Sequence, residues 1–320
     1  MFTSMSVTSK LGVLVGLAIV FGATMIALSV RKGEPADDHA RYFGDSKNFD
    51  RTFQVKPGDK LILDASEGDI SITGNDSEEL VVHIVIRGSE SFLKKYEVNM
   101  EQNGNVVSIR SRHERGFFQW FNDGSIEARY EVQLPRKFNM KVGTSGGNID
   151  LTGVDGELRG ETSGGDLRID DAHGTVDLST SGGNVKVRNL SGAITLGTSG
   201  GDIYGDELEG KTQVETSGGN ISIQGAQGSM RASTSGGDIK VEMKDHNGID
   251  LSTSGGSVSL TLPKNAAGEI SAETSGGEVS CDFPINGRLR EGSLHAKING
   301  GGERIHLESS GGDIIIHGVE

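Results

Sequence analysis

Carboxylate and amide side chains recur along this chain at one fixed interval. Asn148, Asp166, Asn184, Asp202, Asn220 and Asp238 stand 18 residues apart, each directly after a glycine pair. Acidic residues at regular spacing could hold calcium, and two that meet across a cleft could hydrolyse a glycosidic bond. The detail argues against both. Calcium-binding rolls need a nonapeptide with a further glycine and a later aspartate, whereas this period is twice as long. Two other sets at the same interval read Asp150, Arg168, Lys186, Tyr204, Ser222, Lys240 and Arg159, Asp177, Thr195, Gln213, Arg231. Neither collects the paired acids that glycoside hydrolysis uses. The eight histidines are scattered, with no HExxH, so no metal site is expected. Ser145 and its equivalents lack a histidine and an acid in register, which leaves nucleophilic catalysis without support. The chain therefore reads as a non-enzyme, with no catalytic residue and no cofactor.

A second cluster could bind rather than react. Phe117, Phe118, Trp120 and Phe121 crowd four aromatic rings into five positions, flanked by Arg112, His113, Glu114 and Arg115. Such rings either fill the end of a core or form an exposed patch for a sugar, a protein partner or a bilayer surface. Protection of Trp120 from a soluble quencher separates the two.

Composition narrows the partners. Acidic residues outnumber basic ones 45 to 31, a net charge of -14, so nothing here grips the phosphates of a nucleic acid. One cysteine, Cys281, rules out an internal disulfide framework. Glycine is abundant at 49 of 320 residues and proline scarce at 5, which suits stacked strands and excludes collagen.

The elements that must position these side chains are written in a repeat. The tetrad TSGG begins at Thr144, Thr162, Thr180, Thr198, Thr216 and Thr234, then at Thr253 and Thr274, and as SSGG at Ser309; an eroded copy covers Ser66 to Ile70. Two residues past each glycine pair stand Ile149, Leu167, Val185, Ile203, Ile221 and Ile239, with polar residues between them and the next apolar position. That is the alternation of a strand with one buried face. Leu158, Val176, Ile194 and Met230 mark a second strand, preceded by Gly156, Gly174, Gly192, Gly210 and Gly228. Each unit is thus strand, turn, strand, turn, with glycine at both corners where positive φ is expected. One unit cannot bury enough apolar surface to order itself, so successive units must stack, each on the one before, about 4.8 Å apart.

The expected fold is all-β: a two-sided parallel β-solenoid of 18-residue rungs with a β-rich N-terminal cap, preceded by one transmembrane helix. In such a stack each column becomes a ladder. The tetrad threonine faces inward and its hydroxyl links rungs. Alternating Asn148, Asp166, Asn184, Asp202, Asn220 and Asp238 keeps carboxylates two rungs apart with amide donors between them.

Expected boundaries are a tail over 1–10, a transmembrane signal anchor over 11–30, a linker over 31–48, a β-rich cap over 49–140 and the repeat domain over 141–320. Leu11 to Val30 form twenty residues without a charge, enough to cross a bilayer as a helix. A cleavable signal peptide competes, although the small-x-small site Ala27-Leu28-Ser29 is imperfect. The expected protein is single-pass with its bulk outside the cytoplasm; Arg31, Lys32 and Arg41 argue for the opposite orientation. Oligomeric state stays open.

TSGGNI, TSGGDL and TSGGDI, with the late INGGG and ESSGGDI, resemble the "putative adhesin" family of bacterial envelope proteins, otherwise labelled a domain of unknown function. The resemblance covers roughly residues 49–320. It implies an exported solenoid with a role in surface contact or envelope-stress signalling, and carries over no catalytic or ligand residue. The first functional expectation is a membrane-anchored module presenting a β-face to an envelope glycan or protein. A sensory module that attracts a cationic peptide or a neighbouring membrane protein is the alternative, and a polysaccharide-processing enzyme comes last.

Overall fold

The structure is a computed structural model that describes residues 45–113 and 127–320. In chain order, β1 (Asp45–Gln54), β2 (Lys60–Ala65), β3 (Asp69–Asn75) and β4 (Glu79–Gly88) lead to one helical turn, α1 (Glu90–Leu93). β5 (Tyr96–Asn103), β6 (Val106–His113), β7 (Glu127–Pro135), β8 (Asn139–Thr144), β9 (Ile149–Thr152) and β10 (Gly156–Thr162) follow. Five long bent strands come next: β11 (Leu167–Thr180), β12 (Val185–Thr198), β13 (Ile203–Thr216), β14 (Ile221–Thr234) and β15 (Ile239–Thr253). The remainder is β16 (Val258–Pro263), β17 (Gly268–Thr274), β18 (Val279–Cys281), β19 (Ile285–Arg290), β20 (Ser293–Ile298), β21 (Arg304–Ser309) and β22 (Ile314–Val319).

Equivalent residues pair in parallel across the regular rungs, so the columns are physical. Leu167 lies beside Val185, Gly174 beside Gly192 and Thr180 beside Thr198. The chain runs along a first wall after each tetrad, turns, and returns along a second wall to the next tetrad. Alternate residues of both walls face inward and are buried. A further inward column sits at the corner between the walls: Val154, Ala172, Leu190, Leu208 and Ala226 are all buried. It breaks the alternation because the residue before it adopts a left-handed backbone, φ 60° at Asp171, 54° at Asn189 and 55° at Glu207.

The two kinds of glycine serve different ends. Gly174 and Gly192 have φ of 126° and 122°, which L side chains avoid. The tetrad glycines do not share that conformation, contrary to expectation. A Cβ on Gly183 would lie 2.0 Å from the Gly165 carbonyl oxygen, one rung away. Stacking distance, not backbone dihedral, forbids a side chain there.

Both ends of the stack depart from chain order. The β2–β3 rung, with the eroded tetrad copy, lies between β6 and β7 on one side and β8 and β9 on the other. At the far end the final rung, β21–β22, is inserted between β15–β16 and β17–β18. The antiparallel hairpin β19–β20 then covers β17. At the opposite end β1, β4 and β5 add antiparallel strands. There Tyr96 and Tyr130 meet hydroxyl to hydroxyl at 2.6 Å, and both bond Ser111 inside the core. Burial pushes the Tyr130 phenol far above its ordinary pKa, so it stays neutral and able to donate.

The expectation of a preceding transmembrane helix is corrected. Among the described residues no helix is long and apolar enough to cross a membrane. α1 has four residues, about 6 Å of rise against the ~30 Å of a hydrocarbon core. The apolar run over 11–30 lies outside the described residues.

Candidate functional site

The tetrad corner is a hydrogen-bonded spine. Each tetrad hydroxyl donates to the second-glycine carbonyl of the adjoining rung: Thr162 to Gly147 at 2.9 Å, Thr180 to Gly165 at 2.9 Å and Thr198 to Gly183 at 2.9 Å. The same oxygen accepts from its own second glycine, as Thr180 does from the Gly183 N–H at 3.3 Å. Next to it runs the Asn and Asp column. Asn148 Oδ1 accepts from the Asp166 backbone N–H, Asp166 from Asn184, Asn184 from Asp202, Asp202 from Asn220 and Asn220 from Asp238, all at 2.7–2.9 Å. Amide donors reach carboxylates at Asn184 to Asp166, 3.4 Å, and Asn220 to Asp202, 3.3 Å. The Asn220 backbone N–H, then Tyr204, hold the Asp202 carboxyl below its usual pKa. Each Oδ1 of this column thus accepts from the backbone N–H of the adjoining rung.

The outward columns of the first wall form a polar, partly hollowed surface. Arg168, Lys186, Tyr204 and Ser222 stand side by side in register, and Asp170, Arg188, Asp206 and Gln224 form the neighbouring row. Together they line a hollow of about 370 Å³. Tyr204 is 42% exposed and carries the only large aromatic ring in it. Its hydroxyl donates to Asp202 at 2.9 Å, and Lys186 Nζ lies 5.7 Å from the ring centre. Donation to that carboxylate pushes the Tyr204 phenol up. Arg188 grips Asp170 with two nitrogens, Nε at 3.0 Å, and this holds the Asp170 carboxyl below its usual range. The ring is thereby tethered at its hydroxyl edge and remains partly exposed beside Lys186, inside a rim of donors and acceptors.

Two serine, histidine and acid groupings test for nucleophilic chemistry. Ser191 Oγ is 2.6 Å from His173 Nδ1, but Asp171 lies 4.0 Å from Nε2, too far for a hydrogen bond. Arg136 at 2.8 Å and Asn189 at 3.0 Å already engage Asp171. On β17 and β20, Ser271 Oγ is 3.3 Å from His295 Nδ1, whose Nε2 is 3.2 Å from Glu273. There His295 and Glu273 are 56% and 60% exposed on an outward strand face, where water competes for every donor. Neither grouping is enclosed as an acyl-transfer site must be. Among the described residues no group of three or more His, Cys, Asp or Glu could hold a metal ion.

Of the residues singled out by sequence, the structure brings Asn148, Asp166, Asn184, Asp202, Asn220 and Asp238 into one column. Phe117, Phe118, Trp120 and Phe121 lie outside the described residues. Tyr204 was missed as a binding residue. The signal was its place as the one aromatic in an outward column of charged and small residues.

A family model described as Toastrack DUF4097 matches residues 58–317. The chain is also similar to three solved structures. One is described as "a putative adhesin" from Bacteroides fragilis NCTC 9343, at 15% identity over 85% of this chain and 97% of that one, TM-score 0.36. The second, "a putative adhesin" from Parabacteroides merdae ATCC 43184, has 14% identity over 86% and 97%, TM-score 0.39. The third, a "Putative lipid binding protein" from Parabacteroides distasonis ATCC 8503, has 13% identity over 87% and 98%, TM-score 0.38. No curated protein matches.

Proposed function

The chain belongs to the Toastrack DUF4097 family, and from that premise we propose that it is a non-enzymatic, adhesin-like binding module working outside the cytoplasm. It presents the first wall of its TSGG solenoid to a glycan. One observation supports this reading above the others: Tyr204, 42% exposed, lies in a polar-rimmed hollow with its hydroxyl tethered to Asp202. A fixed aromatic face among hydrogen-bonding groups suits a sugar ring, apolar on one side and hydroxylated at its edge.

The test is retention of the protein on a panel of immobilised neutral glycans. Wild type is expected to bind with little dependence on salt, and Tyr204→Ala to lose binding without change in thermal stability. Equal retention of the variant overturns the assignment. The acidic excess of the chain favours a second reading, attraction of a cationic peptide. Binding to a lysine-rich peptide that vanishes as salt rises, with none to the glycans, selects it. Protease accessibility on intact cells and spheroplasts tests the compartment.

A further inference from the structure

On the second wall one extra residue interrupts the stack. β14 and β15 slip register between Gly228 and Met230, so Ser229 faces both Asn247 and Gly248. Ser229 Oγ donates to the Asn247 carbonyl at 3.2 Å. Small residues thus stand in the outward row between Lys211 and Arg304, and a hollow of about 390 Å³ opens there. Gln213, Arg231, Asp250 and His306 form its other side.

Its charge opposes that of the chain. Arg231 is paired with Asp250 at 2.9 Å. Among the described residues Lys211 and Arg304 have no ion-pair partner, in a protein of net charge -14. His306 Nδ1 is enclosed without a hydrogen-bond partner, while Nε2 is 3.8 Å from Glu308. Two uncompensated cations across a polar hollow attract an anion, and the remaining groups constrain which kind. Gln213, Ser229 and Asn247 can exchange hydrogen bonds with hydroxyls. The Asp250 carboxylate accepts from hydroxyls and repels a dianionic phosphate.

We propose that this hollow binds a carboxylate-bearing sugar of an acidic glycan, with Lys211 and Arg304 holding the carboxylate and Asp250, Gln213 and Asn247 the ring hydroxyls. The site lies on the wall opposite Tyr204 and stands whether or not that residue contacts a ligand.

The experiment titrates a galacturonate trimer into the full chain by calorimetry at low ionic strength, beside the methyl-esterified trimer and inorganic phosphate. The acid trimer is expected to bind about tenfold more tightly than either. Lys211→Gln and Arg304→Gln each weaken it about fivefold or more, with circular dichroism unchanged, and Tyr204→Ala leaves it as it was. Absence of trimer binding, equal binding of the ester or of phosphate, or wild-type affinity in the double variant overturns the proposal. So does loss of binding in Tyr204→Ala alone, which would place the trimer on the other wall.

Discussion

Ser309 donates its hydroxyl to the carbonyl of Gly256, 2.8 Å away in space and 53 residues earlier in the chain. The contact repeats the threonine-to-glycine link of the regular rungs, and Thr274 makes the same bond to Gly312 at 2.7 Å. The last rung is therefore an interior one. A chain ending at Glu303 should lose backbone protection in β17 and β18, which precede the cut, as well as in the hairpin behind them. Hydrogen exchange read by mass spectrometry checks this; unchanged protection over 268–281 contradicts an interior position for the β21–β22 rung.

Adjacent tetrad glycines should respond to alanine in opposite ways. At Gly183 the new Cβ meets a carbonyl oxygen at 2.0 Å, and backbone cannot yield without opening the ladder. Gly183→Ala should cost about 3 kcal/mol or the fold itself. At Gly182 the nearest atom is 3.7 Å away, so Gly182→Ala should stay within about 0.5 kcal/mol of wild type in thermal unfolding.

Thr212 occupies an inward place where its neighbours are Ile194 and Met230, and its buried Oγ1 has no hydrogen-bond partner. Replacing a desolvated hydroxyl by a methyl of the same shape removes that penalty. Thr212→Val should stabilise by about 1 kcal/mol, seen as a rise of about 2 °C in the melting midpoint. A fall would show that the hydroxyl is satisfied.

Burial lowers the pKa of His246 below its ordinary 6.5, against the opposing pull of Asp245 and Glu303. The unfolded chain then takes up the proton first. This group's contribution to stability is complete above about pH 6.5 and is lost as pH falls through the depressed folded-state value. Melting temperature measured from pH 8 to pH 5 should decline more steeply in wild type than in His246→Gln over that acid range.

Much of the architecture was legible in the sequence because every column has its own physical demand. Aliphatics at Leu167, Val185 and Ile203 ask for burial, and the Asn and Asp column asks for backbone partners, so the 18-residue period could be read as stacking. The glycine pair was misread because a close approach between rungs leaves the same residue as a positive φ. Leu190 and Leu208 escaped notice since the left-handed residues Asn189 and Glu207 shift them out of alternation. The order of the last rungs was hidden because TSGG at Thr274 and SSGG at Ser309 offer nearly identical surfaces above and below. Tyr204 was visible as a letter in a column, but the hollow around it depends on its neighbours' side-chain directions.

Interleaving also decides how the molecule carries load. β22 is bonded to β16 along six residues and to β18 on its other edge, so tension on the carboxyl end meets several ladders at once. Pulled along the strand direction, bonds arranged in this way are loaded together in shear rather than one at a time.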